Sequence, residues 1–265
     1  MRDKIRKHSK TIGIMGACRR SGATYVATSL ALAMAKKTER TAYLETHICR
    51  CLSCSLRPLV FYEMGLQNGI FPGRVSDFFF MKSIGENTSN RVNLFRGVNW
   101  AVRKADSPAC LLLPEDIAGE YVIWDDPPLL EAVGSPPLPG GVACSLLYGN
   151  AGSRAVRAGT GTFSSSGEYE LRRDIADKLD LIICIARTET AFAAAGAETV
   201  RKCFKRYPAK TKLVYNMISS KASLKAAEKY IGHRGDFFLW KDSAETSGMI
   251  DIATEEMADY ILELY

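Results

Sequence analysis

Apolar positions recur along this chain in two rhythms, and their alternation predicts most of its elements. "KTIGIMG" is a short apolar run suited to a strand buried on both faces, and "TYVATSLALAMAKK" carries apolar residues at helical spacing for about three turns. "RTAYLE" predicts a second strand. "GEYVIWDDPP" predicts another, which closes on an acidic pair because the following prolines forbid its continuation. Alternation is most regular in the last third. There the pattern predicts helix "YELRRDIADKL", strand "DLIICIA", helix "AFAAAGAETVRKCFKRY", strand "TKLVYNM", helix "SLKAAEKYI", strand "DFFLW" and a terminal acidic helix "MIDIATEEMADYILEL". Residues 59–118 carry a weaker pattern, with "VSDFFFMKSI" as helix, "RVNLF" and "NWAVR" as short strands, and Pro, Gly and Asn marking loops between them. Strands that alternate with long helices imply crossover connections. The predicted fold class is therefore α/β, a mostly parallel sheet flanked by helices on both faces.

Composition adds limits. With 265 residues and 47% hydrophobic side chains the chain can bury a substantial core, and no internal repeat or second domain is visible, so residues 1–265 read as a single domain. Residues 134–167 hold eight glycines and low hydrophobic periodicity, which predicts a Gly/Ser/Pro-rich irregular insertion without chemistry of its own. The net charge of +6 is modest and partly local: the tail 1–10, "MRDKIRKHSK", holds five Lys or Arg against one Asp. A solvated terminus accounts for such a tail, and contact with phosphates or anionic lipid is the alternative. No run of about 18 apolar residues could span a bilayer, and no apolar segment follows the basic tail as in a signal peptide, so a cytoplasmic protein with no transmembrane segment is expected. The eight cysteines are then expected to be reduced thiols.

The turn between the first strand and its helix carries the main candidate chemistry. A phosphate-binding loop presents successive backbone N–H groups and a helix N-terminus to an anion, with a Lys on the outer phosphates and a Ser or Thr hydroxyl on Mg²⁺. Laid on Ala17 to Thr24, the pattern G-x-x-x-x-G-K-[ST] keeps Gly22 and Thr24 but has Ala17 for the first Gly and Ala23 for the Lys. An ordinary strand-to-helix turn capped by Thr24 is the alternative reading. Arg19 and Arg20 are the nearby cations that could replace the Lys charge.

This order of residues resembles the MinD/ParA group of P-loop ATPases, whose deviant Walker A loop follows an apolar strand and precedes an alanine-rich helix. Their signature Lys falls at Cys18 and the invariant Lys at Ala23, while Arg19, Ser21, Gly22 and Thr24 fit degenerate members in which an Arg precedes G-V-G-T-T. The second strand of the group ends in D-x-D, which places Glu45 near the phosphates and puts His47 where the hydrolytic carboxylate stands. "EYVIWDDPP" is similar to the group's "DYIIIDTPP", so Asp125 inherits the Mg²⁺ shell, shared with Thr24. "LVYNMISSKASL" is similar to "VVLNxVDxKS", which implies Asn216 at the edge of the base. The resemblance thus implies a P-loop NTPase-like fold with ATP and Mg²⁺ held by Arg19, Arg20, Ser21, Gly22, Ala23, Thr24, Glu45, Asp125 and Asn216. It further implies a nucleotide-responsive regulator in positioning, partition or pilus and secretion assembly, acting through protein partners, with slow or no hydrolysis. ATP in the group is sandwiched in a homodimer, and its ParA branch binds DNA. An active ATPase or ligase relying on Arg19 or Arg20 is the enzymatic alternative.

A separate cluster lies just beyond the second strand. His47, Cys49, Cys51 and Cys54 place one imidazole and three thiols within eight residues, enough in number for tetrahedral Zn²⁺. Zinc sites usually join two separated ligand pairs, and the tight spacing here argues against the metal in favour of incidental thiols or a redox-sensitive patch. A zinc- or redox-responsive interaction module at 47–54 is the third functional expectation.

Overall fold

The computed structural model describes residues 9–18, 20–38, 40–45, 74–75, 78–81, 98–103, 114, 117, 119–125, 127, 130–132, 169–171, 173–241 and 252–265. The order is β1 (Lys10–Gly16), α1 (Ala23–Lys37), β2 (Thr41–Glu45), β3 (Arg74–Val75), β4 (Phe78–Met81), β5 (Val98–Arg103) and β6 (Tyr121–Asp125). There follow β7 (Leu130–Ala132), β8 (Tyr169–Leu171), α2 (Arg173–Ala176), β9 (Leu181–Arg187), α3 (Thr190–Arg206), β10 (Thr211–Ile218), α4 (Lys221–Ile231), β11 (Phe237–Trp240) and α5 (Ile252–Leu264). The expected insertion at 134–167 and the tail before Ser9 lie outside the described residues.

The main sheet has the order β11-β10-β9-β1-β6-β2-β5-β4-β3. Every pairing from β11 to β5 is parallel, and β4 and β3 extend the β5 edge antiparallel. The mostly parallel α/β expectation is met. Two local expectations are not. Within "VSDFFFMKSI", Val75 belongs to β3 and Phe78–Met81 form β4 where a helix is expected, because consecutive aromatics favour an extended chain and β5 offers a partner, with Phe79 opposite Val102. The start of "YELRRDIADKL" likewise becomes β8, antiparallel to β7, and leaves only the short helix α2. A strand partner this distant in sequence overrides local periodicity.

Strict alternation along the central strands builds two cores. Ile12 and Ile14, Tyr121 and Ile123, and Leu181, Ile183 and Ile185 face α1 and α5, whereas Val122, Trp124, Ile182, Cys184 and Ala186 face α3 and α4. Helix α1 is buried from Val26 through Met34 because the sheet lies on one side and α5 on the other. A helix enclosed in this way needs small side chains, which explains its alanines. Its last turn is tied to α5 by Lys36 to Glu255 at 3.0 Å and by Lys37 to Asp259.

The chain leaves β1 for β2 two positions away, returns to insert β6 between them, and then crosses to β9 on the opposite side of β1. Strand order therefore switches direction at β1. In open α/β sheets the crevice outside the strand C-termini at such a point is where ligands bind.

Candidate phosphate site

At that point the chain turns sharply. The Ala17 N–H donates to the Ile185 carbonyl at 2.9 Å, and the Ser21 N–H donates to the Cys18 carbonyl at 3.3 Å. Arg20 (φ 59°) and Gly22 (φ 87°) both occupy the left-handed region on either side of the buried Ser21. Gly22 is the N-cap of α1, and the helix opens with no side-chain cap and no acidic residue in its first turn. The N–H groups of Ala23 and Thr24 lie at this N-terminus, where the helix dipole adds partial positive charge, as at helix ends that receive anions. Glycine is required at position 22 on two counts: its positive φ, and the Asn216 Nδ2 that would stand 2.2 Å from a Cβ. The start of the loop is equally tight, because a Cβ on Gly196 of α3 would lie 2.9 Å from the Ala17 methyl.

On the β2–β6 side the site is acidic and sealed. Glu45 and Asp125 end neighbouring strands in direct register, and both are fully buried. Tyr43, two residues before Glu45 on the same face, joins them: its hydroxyl donates to Asp125 Oδ2 at 2.8 Å and lies 3.3 Å from Glu45 Oε2. Burial, then the charges of Asp125 and Glu45, raise the Tyr43 hydroxyl well above an ordinary phenol, so it stays protonated and remains a donor. Tyr43 belongs to the core that α1 covers, so the carboxylates lie on the helix side of the sheet.

On the β9–β10 side the groups are mixed. Arg187, the last residue of β9, gives Nε and Nη2 to the Glu189 carboxylate, stacks over Phe192 with its guanidinium 4.3 Å from the ring centroid, and donates from Nη1 to the Arg20 carbonyl at 3.3 Å. This bond holds Glu189 below the ordinary carboxylate range. Cys18 lies near the same pair; burial pushes its thiol up to about 11, with Arg187 opposing and Glu189 assisting. From β10, Asn216 donates Nδ2 to the Ser21 carbonyl at 2.9 Å and accepts the Met217 N–H on Oδ1 at 2.8 Å. One partner is an acceptor and the other a donor, which fixes the orientation of the amide. Met217 is left-handed (φ 58°), where the β10–β11 register shifts.

The structure thus brings Arg20, Ser21, Gly22, Ala23 and Thr24 together with Asn216 around one turn, and sets Glu45 and Asp125 on adjacent strand ends. Arg19 lies outside the described residues, as do His47, Cys49, Cys51 and Cys54. Sequence reasoning missed Tyr43, Arg187 and Glu189. The two-residue spacings Tyr43–Glu45 and Arg187–Glu189 were the available signals, since each puts a donor and a carboxylate on one side of an extended chain. Among the described residues no group of three or more His, Cys, Asp or Glu could hold a metal ion. Magnesium asks for less, since it keeps several waters and takes one or two protein ligands beside phosphate oxygens. Thr24, in the first turn of α1, and Asp125, at the end of β6, are both buried.

No protein-family profile and no curated protein sequence matches the chain. Solved structures do match. The septum site-determining protein MinD of Pyrococcus horikoshii OT3, complexed with Mg-ADP, superposes with a TM-score of 0.56 at 10% identity, over 97% of this chain and 97% of that one. The cell division ATPase MinD of Pyrococcus furiosus gives 0.55 at 11% identity, over 97% and 100%. The fold is that of the MinD/ParA ATPases. A ParA family ATPase from Chlorobium tepidum TLS agrees, with a TM-score of 0.53 at 10% identity over 96% of this chain and 100% of that one. Similarity this remote shows the fold alone and leaves the chemistry to this chain's own residues. Among the described residues no helix is long and apolar enough to cross a membrane.

Proposed function

We propose that this protein is a nucleotide-responsive regulator of the MinD/ParA kind, working in positioning, partition or pilus and secretion assembly through protein contacts rather than rapid turnover. The supporting observation is the left-handed Gly22 at an uncapped helix N-terminus, seated at the switch point of a MinD/ParA-like sheet. In this reading the backbone of Arg20 through Thr24 cradles the phosphates of ATP, joined by Arg19. Thr24 and Asp125 hold Mg²⁺, which when bound neutralises phosphate charge, and Glu45 stands behind them. Asn216 closes the site from β10. Ala23 cannot place an ammonium between the outer phosphates, so hydrolysis is slow. A bound nucleotide then acts by changing which partner, a second copy of the chain or another protein, docks on the surface around the loop. A protein of this fold does form a complex with a partner: the MinC:MinD cell division protein complex of Aquifex aeolicus gives a TM-score of 0.53.

Titration of a fluorescent ATP analogue with and without Mg²⁺ tests this reading on the wild type and on Gly22→Asp. Magnesium-dependent binding that the variant loses, while its thermal melt shows a folded protein, is the expected result. Asp125→Asn is the companion variant, expected to lose the magnesium dependence alone. Absence of wild-type binding up to millimolar analogue overturns the reading.

A further inference from the structure

Two consecutive carbonyl oxygens of the loop are gripped from outside it. The Arg20 carbonyl accepts from Arg187 of β9, and the Ser21 carbonyl accepts from Asn216 of β10. Both side chains are themselves fixed. Arg187 is held by the Glu189 carboxylate and the Phe192 ring, and Asn216 by the Met217 N–H. The loop between these grips is in a conformation that resists itself, because a non-glycine residue at φ 59° is strained and persists only where its surroundings dictate it. With both carbonyls bonded from outside the turn, the N–H groups of Gly22, Ala23 and Thr24 are left to face a ligand, which is the arrangement of an anion nest.

From this we infer that Asn216 and Arg187 are positioning residues, a two-point latch that sets the phosphate loop in its binding shape before any ligand arrives. The inference rests on the phosphate-loop reading above and changes the expectation for Asn216. One N–H of its amide is committed to Ser21, and its distance from Gly22 leaves no room for a methyl group between them. In this inference Asn216 serves the phosphates through the loop, whichever base the nucleotide carries. Arg187 supplies shape in the same way, with Nε and Nη2 on Glu189 and Nη1 on the Arg20 carbonyl.

The latch is tested without ligand by hydrogen exchange of the Ser21 and Val26 amides, which donate to the Cys18 and Gly22 carbonyls and close the two ends of the turn, and with ligand by affinities for inorganic tripolyphosphate and for the ATP analogue. In Asn216→Ala, exchange at these amides should accelerate, and both affinities should fall by the same factor, about tenfold, which is the size of one buried hydrogen bond. Arg187→Lys, which keeps the charge and loses the fork, should also accelerate exchange. If removal of Asn216 disturbs β10 more widely, the double variant Asn216→Ala, Met217→Gly keeps the strand's path, because glycine takes a positive φ without strain. Unchanged exchange with a loss confined to the ATP analogue overturns the latch and makes Asn216 a base contact. Full restoration of exchange and affinity by Arg187→Lys overturns the share assigned to Arg187. Should the wild type bind neither anion, the nucleotide reading falls, and the exchange comparison alone still decides the latch.

Discussion

The two sides of the loop treat their polar groups in opposite ways. Toward β2 and β6, Glu45, Asp125 and Tyr43 are wholly buried beneath α1, and their hydrogen bonds form inside the core. Toward β9, the Arg187 and Glu189 side chains keep 18% and 43% of their surface in water, while Asn216 of β10 is buried with its bond to the loop. Low dielectric makes the sealed side energetically stiff, since any loss of pairing there carries the full cost of desolvation, whereas solvent can replace what is lost on the open side. The site thus couples a rigid acidic floor to a wall that adjusts cheaply.

Removal of one hydroxyl from the floor should have the largest effect. Tyr43→Phe is expected to lower the unfolding free energy by about 1–3 kcal/mol, because it withdraws a donor from buried carboxylates. On the wall, Glu189→Gln should stay within about 0.5 kcal/mol. Urea denaturation measures both, and comparable losses would end the distinction. The floor should also show in alkali. Folding raises the Tyr43 pKa above its ordinary value, so the folded state holds the proton more tightly; the stabilisation is present below about pH 10 and is lost as pH climbs further, by up to about 1.4 kcal/mol per unit. Tyr43→Phe should remove that part of the slope.

A smaller effect is expected at Cys18 on the wall. A thiol pushed from 9.0 to about 11 carries about a hundredfold less thiolate near neutral pH, so alkylation by iodoacetamide should be slow and should accelerate up to about pH 11. Glu189→Gln should raise that rate by removing a charge that disfavours the thiolate. A rate typical of a free cysteine would show the wall to be more open than its geometry indicates.

Legibility in the sequence divided along similar lines. β1, α1, β6 and the alternation from β9 to α5 were readable because each buries a long periodic run, and Gly22 and Asp125 because a positive φ and a strand-ending carboxylate before prolines leave local marks. β4 and β8 were misread. Their state depends on strand partners, Val98–Arg103 and Leu130–Ala132, that no local window contains. Tyr43 and Arg187 left only their two-residue spacing to Glu45 and Glu189, for a related reason: each acquires its role only when sheet register sets Glu45 beside Asp125 and β9 beside the loop. Chemistry carried by one residue type at one position leaves a motif, and chemistry shared across strands leaves none.

The contact between Ala17 and Gly196 changes what a missing glycine means. The clearance at the start of this turn is supplied by the neighbouring helix, where Gly196 makes room for the Ala17 methyl. The pair behaves as one vacancy that either partner can supply. Gly196→Ala alone should destabilise the protein, and adding Ala17→Gly should recover much of that loss, which a double-mutant cycle of thermal melts would record as favourable coupling. A motif scored position by position records only the alanine at 17, whereas the volume around it is set jointly with Gly196.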